Sequence, residues 1–220
     1  MFGWDKIKVI VLDTETNGLT PKDSVLAITT LSIDLFVKDR GNSFEIFTHD
    51  MSERYYHLRE NEPQNPHALN VHQLTPDRIN QLRDKTGQNG TGQNGSGQNG
   101  SDNRTYDENV IDDMKNQLMI YDFIVGHNLA FDLRMLHVEE FIKEQGIKTF
   151  CTMRQPHDLY KELAEEPFRG SASLARAAAL LNVDYNKEGK HDATVDTFVT
   201  AKVFQQLLDY DKTWEHLTIR

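Results

Sequence analysis

The hydrophobic pattern opens on residues 7–15, IKVIVLDTE, a strand-like apolar run that turns acidic at Asp13 and Glu15. Asn17-Gly18 and Pro21 then mark a turn, and residues 27–35 alternate at Leu31, Ile33 and Leu35, the spacing of a strand with one buried face. Residues 38–42 turn the chain back. Phe44 and Ile46, two apart within residues 43–48, complete a hairpin, so the chain is predicted to begin with three consecutive strands. Residues 50–74 carry no clean period. Thr75 followed by Pro76 offers an N-cap with proline at the first helical position, which predicts a short helix to about Leu82.

From Tyr106 the period becomes helical, with Val110, Ile111, Met114 and Leu118 on one face, and residues 123–125 form a short apolar strand before Gly126. A helix is predicted over residues 130–145, stopped by Gly146, followed by a strand over 147–151 and a mainly helical remainder with helices over 174–181 and 194–208. Three strands followed by strands alternating with helices predict an α/β fold, a mixed sheet flanked by helices.

The chain's 220 residues suit one domain with one sizeable core. Residues 87–101 read GQNGTGQNGSGQNGS, a five-residue repeat with no apolar side chain to bury, so residues 86–102 are expected to form a flexible low-complexity insertion within a domain spanning 1–220. The formal net charge of −10 excludes a broad basic face of the kind that grips duplex nucleic acid through its phosphates, so any nucleic-acid contact is local. Cys151 is the only cysteine, which rules out an intramolecular disulfide. Nothing in the sequence resembles a signal peptide or a membrane span, and the expectation is a soluble cytoplasmic protein without membrane contact.

Successive side chains on a strand alternate faces, so Asp13 and Glu15 point the same way, side by side at the end of a buried strand. Unpaired, the two charges repel each other and resist burial; hard oxygen donors at this spacing suggest Mg2+ or Mn2+. Asp132 lies in the first turn of a helix otherwise made apolar by Phe131, Leu133 and Leu136, within GHNLAFDLRML at 126–136. Taken alone it also reads as a charge complementing the helix macrodipole. His191 and Asp196, five residues apart at the start of the last helix, also read alone as a capping segment with an exposed histidine.

Taken in order, Asp-x-Glu on the first strand, Asp after Gly-His-Asn-x-x-Phe, and His-x-x-x-x-Asp near the C-terminus resemble the DnaQ-like DEDDh exonucleases. The likeness covers the chain except residues 83–105 and includes DTETNGL at 13–19 and VHQLT at 71–75. It implies a ribonuclease H-like mixed five-stranded sheet in which Asp13, Glu15, Asp132 and Asp196 bind two divalent cations, Mg2+ or Mn2+, and His191 is the general base. Two ions about 3.5 to 4 Å apart stabilise the attacking and leaving oxygens of an in-line displacement. A histidine, with an ordinary pKa of about 6.5, can take a proton near neutral pH.

The resemblance also implies that Thr14, Leu19, His72 and Phe131 line a pocket for the terminal nucleotide, with Leu19 wedged between bases and Phe131 packed on sugar or base. Leu19 and Phe131 read equally well as core residues. The implied activity is 3′ to 5′ hydrolysis of single-stranded or frayed nucleic acid ends to nucleoside 5′-monophosphates, DNA favoured, in repair or proofreading with a DNA polymerase or repair complex as partner. An exoribonuclease that trims RNA ends and a non-catalytic end-binding module of a polymerase complex are the alternatives. One position departs from the family: many relatives carry a Glu after the isoleucine pair of the second strand, where this chain reads SVLAITTLSI at 24–33 and has Ala27 or its neighbours instead.

Overall fold

The computed structural model describes residues 5–38, 43–88, 105–164, 170–185 and 192–210. Its centre is β1 (Asp5–Thr16), which pairs antiparallel with β2 (Val25–Lys38), itself antiparallel to β3 (Ser43–Tyr55). On its other side β1 runs parallel to β4 (Phe123–Gly126), and β4 parallel to β5 (Lys148–Cys151). The resulting order, β3-β2-β1-β4-β5 with only β2 reversed, is a ribonuclease H-like mixed sheet in a single α/β domain.

Because β1 is covered on both sides, its alternate residues feed two cores. Ile7, Val9 and Val11 pack with α6 (His157–Leu163), α7 (Leu174–Leu180) and α8 (Ala193–Leu207), where the Phe150 and Phe204 rings lie 5.4 Å apart. Ile10 and Leu12 pack on the opposite face with α3 (Glu108–Leu118), α4 (Leu129–Met135) and α5 (Glu139–Gln145). Each such aliphatic side chain contributes about 1.5–3 kcal/mol by burial, which is why the apolar run at 7–12 sits at the sheet's centre. A smaller cluster joins Leu74 and Ile79 to Leu26 and Tyr55 and seats α2 (Pro76–Lys85) beside β3, with Leu74 just past the end of α1 (Pro66–His72). Among the described residues no helix is long and apolar enough to cross a membrane.

The structure departs from the sequence reading in four places. The single helix expected over 130–145 is two, α4 and α5, broken where His137 takes a positive φ of 54°. The turn is closed by Val138 N–H donating to Leu133 O at 3.1 Å and His137 N–H to Arg134 O at 3.2 Å, a Schellman-type stop that swings Val138 into the core. The third strand continues to Tyr55, because His49 and Asp50 together face the single Ser32 and this bulge destroys the alternation beyond Thr48. The other two are α1 and α6, seven residues each: α1 lies in the stretch read as without a period, and α6 in one read as mainly helical but given no bounds. The cap at Thr75 is as expected, its Oγ1 accepting from Arg78 N–H at 3.1 Å. Asn65 followed by Pro66 is an equivalent signal for α1, with Asn65 Oδ1 accepting from His67 N–H at 3.0 Å.

Candidate metal and nucleic acid site

Pairing between β4 and β1 stops at Val11, so β1, still paired with β2, runs past the end of β4 and carries Asp13 and Glu15 beyond the parallel half of the sheet. Both carboxylates share the face of Val9 and Val11, the side on which α8 packs. Thr14 points to the other face, where its hydroxyl donates to Asp132 Oδ1 at 2.8 Å and its N–H to the same oxygen at 3.2 Å. The carboxylate of Asp132 thus takes the strand hydrogen bond that β4 no longer supplies. Gly126 makes the approach possible, because a Cβ there would stand 2.9 Å from Leu129 Cδ1 and 3.1 Å from Leu12 O.

Asp196, in the first turn of α8, accepts from the Tyr185 hydroxyl at 2.5 Å. Asp192 caps the same helix, accepting from Thr194 N–H at 2.9 Å. On the neighbouring strands the register sets Thr29 and Glu53 level with Asp13, and Glu53 Oε1 accepts from the Thr194 hydroxyl at 2.6 Å.

Electrostatically these groups form one site. Burial, then the charges of Asp132, Glu15, Asp196 and Asp192, hold the Asp13 carboxyl well above the usual carboxylate range. Glu15 is pushed up to about 8 by burial and by Asp196, Asp192 and Asp132. Asp132, only 2% exposed, is raised to about 7 by burial, against the lowering effect of its bonds to Thr14. The cluster is therefore short of positive charge. Its charge and its oxygen donors fit a hard divalent cation. Among the described residues, no three His, Cys, Asp or Glu side chains are gathered as one ready-made metal cluster; Asp132 and Asp196 each give an oxygen to Thr14 and Tyr185 instead.

His191 lies outside the described residues. The four expected pocket residues are spread between core and surface. Thr14 is buried and bound to Asp132. Leu19 is 77% exposed, the most exposed large hydrophobic among the described residues. Phe131 packs at the margin of a core cluster, with the Arg134 guanidinium 5.8 Å above its ring, and Arg134 Nη2 reaches Leu19 O at 3.5 Å. His72 is buried at the end of α1; its Nδ1 accepts from Leu74 N–H at 2.9 Å, its Nε2 has no hydrogen-bond partner, and burial lowers its pKa to about 4. Ala27 sits between Glu15 and Tyr55 in register, a buried methyl at the place where the resemblance expects a carboxylate near by.

Three contributors were not named from the sequence. Asp192 carried a readable signal, an aspartate immediately before a helical run. Tyr185 and Glu53 carried none, since each joins the site through a contact distant in sequence.

No protein-family model matches the chain, and no curated protein matches it. Among solved structures it is similar to a full-length 3′-exonuclease, with 13% sequence identity and a TM-score of 0.48, over 95% of this chain and 63% of that one. The chain thus spans less than two thirds of that protein's length.

Proposed function

We propose that the chain is a metal-dependent 3′ to 5′ exonuclease of the DEDDh type that hydrolyses single-stranded or frayed ends, DNA in preference to RNA, to nucleoside 5′-monophosphates. The observation that supports this reading is that Asp13 and Glu15, on one face of β1, are both raised by the charges of Asp132 on α4 and Asp196 on α8. Carboxylates that repel one another, with Asp132 buried, cost stability unless they serve to bind a cation.

Asp13, Glu15, Asp132 and Asp196 would hold Mg2+ or Mn2+; bound there, the cations supply positive charge to a scissile phosphate and lower the pKa of water. Thr14 fixes Asp132 through two donors to one oxygen, and Tyr185 fixes Asp196. By resemblance His191 takes the proton of the attacking water. Leu19 and Phe131, near one another through Arg134, offer apolar surface on which an unpaired terminal base can stack without sequence being read.

The test is a time course on 5′-labelled single-stranded DNA and RNA of matched sequence with Mg2+ or Mn2+, beside Asp13→Ala. A descending ladder that needs metal and is lost in D13A is expected, faster on DNA. Faster shortening of RNA would make the protein an RNA trimmer. Binding without shortening in saturating Mn2+ would refute catalysis.

A further inference from the structure

Leu19 projects from a turn that is itself fixed. Thr16 Oγ1 donates to Gly18 O at 2.6 Å and Asn17 N–H to Ser24 O at 2.8 Å, while Asp23 Oδ2 accepts from the Thr20 N–H and the Thr20 hydroxyl, both at 2.8 Å. A Cβ on Gly18 would stand 2.5 Å from the Asp23 carboxyl, so the turn is closed onto its own side chains. With its backbone pinned on both sides, Leu19 holds its exposed side chain at one place on the surface.

Arg134 reaches this turn from α4. Because β4 stops pairing with β1 at Val11, α4 meets the edge of β1 that β4 leaves open, and there Asp132 bonds to Thr14, between Asp13 and Glu15. Two residues on, in the last turn of α4, the exposed Arg134 sets its guanidinium 5.8 Å from the Phe131 ring centre and its Nη2 3.5 Å from Leu19 O. Phe131 and Arg134 are three apart and therefore share one side of the helix. The group thus spans the border of the carboxylate site, from the helix that carries Asp132 to the turn that follows Glu15.

Neither of its contacts neutralises it. A ring face and a carbonyl oxygen carry no formal charge, and no carboxylate among the described residues pairs with Arg134. A bond of 3.5 Å is long for N–H···O and occupies one of five donors. In a chain of net charge −10, this leaves a cation facing outward beside an aromatic ring and a projecting leucine. The ligand that matches all three has a flat apolar ring next to anionic oxygens, which is a nucleotide within a strand; the guanidinium fork suits its phosphate and the apolar groups suit its base.

We propose that Arg134 binds a backbone phosphate of the single strand on the 5′ side of the scissile bond, beside the base step that Leu19 parts. This rests on the exonuclease reading above, which puts the scissile phosphate at the carboxylates and sends the rest of the strand away from them toward its 5′ end. The phosphate held by Arg134 does not react, so the contact is the same before and during cleavage and its loss appears in KM rather than kcat.

The experiment measures the first cleavage of a 5′-labelled twelve-nucleotide single-stranded DNA in Mn2+ by wild type, Arg134→Gln and Arg134→Lys. The strand is used either with natural linkages or with one uncharged methylphosphonate at the second or the third linkage from the 3′ end. R134Q is expected to raise KM about fivefold to tenfold with kcat within about twofold of wild type, and R134K, which keeps the charge, to recover most of the loss. At one of the two linkages the methylphosphonate costs wild type as much as R134Q costs the natural strand, and costs R134Q little more, because one contact cannot be lost twice. The side chain is exposed, so both variants keep the wild-type Tm within about 2 °C. Equal KM for R134Q and wild type would overturn the proposal while leaving the exonuclease reading intact. The same holds if the methylphosphonate penalty adds in full to that of R134Q at both linkages, or if R134Q lowers kcat at unchanged KM, which would make Arg134 a support of Asp132. No metal-dependent cleavage by wild type would overturn both.

Discussion

Asp13 has opposite consequences for activity and for stability. On the proposed reading Asp13→Asn lowers the cleavage rate by about 10³-fold or more. In EDTA the same substitution removes a carboxyl that, once ionised, repels Glu15, Asp132 and Asp196, so it raises the Tm measured by calorimetry, and the more so the higher the pH. Glu15 makes the effect pH-dependent. Its folded pKa of about 8 lies above the ordinary 4.5, so the folded chain holds the extra proton. The stability linked to that proton is complete below about 4.5 and is lost as pH rises through about 8. His72 and His127, both lowered to about 4, act in the other direction, but only between about 4 and 6.5, where the unfolded chain takes up their protons. Urea denaturation of chelated protein between pH 6.5 and 8.5 should therefore show stability falling with pH, and Glu15→Gln should flatten that fall. These acidic residues were legible because a carboxylate on an apolar run stands out; the burial that raises Asp13, Glu15 and Asp132 was not, since it depends on α4 and α8 closing over β1.

Elements were read well where period and punctuation agreed, and poorly where a single residue decided the matter. The strand at 7–15, the capped start at Thr75 and the helix over 174–181 all follow from local pattern. The break between α4 and α5 does not, because His137 is neither Gly nor Pro and the apolar spacing runs through it; the driving force is the burial of Val138, a tertiary gain. An exposed histidine at a φ of 54° carries a backbone cost that glycine avoids. His137→Gly is thus expected to stabilise the protein by about 0.5–1 kcal/mol with activity unchanged, as measured by denaturant midpoint. In β3 the bulge opposite Ser32 hid half of a strand for the same kind of reason: pairing with β2 overrides a sequence that no longer alternates.

At the scale of the whole molecule, the polar repeat lies in the sequence between α2 and α3 and holds no apolar side chain. Removing residues 90–101 is expected to leave Tm within about 2 °C, since shortening a polar connection changes closure entropy only by tenths of a kcal/mol. Gln88 should be kept, because its side chain bonds Tyr55 and Glu53; Gln88→Ala costs about 1 kcal/mol by urea denaturation. The sheet order was within reach of the sequence, but the meeting of distant parts was not: Thr14 and Asp132 touch across 118 residues, a contact that no local period encodes. That separation has a consequence in time. Helix α8 lies late in the chain, yet it packs on β1 and delivers Asp196 to residues made at the beginning. A ribosome must therefore release α8 before the four carboxylates can meet, so on the proposed reading a chain that stops short of α8 cannot cut nucleic acid.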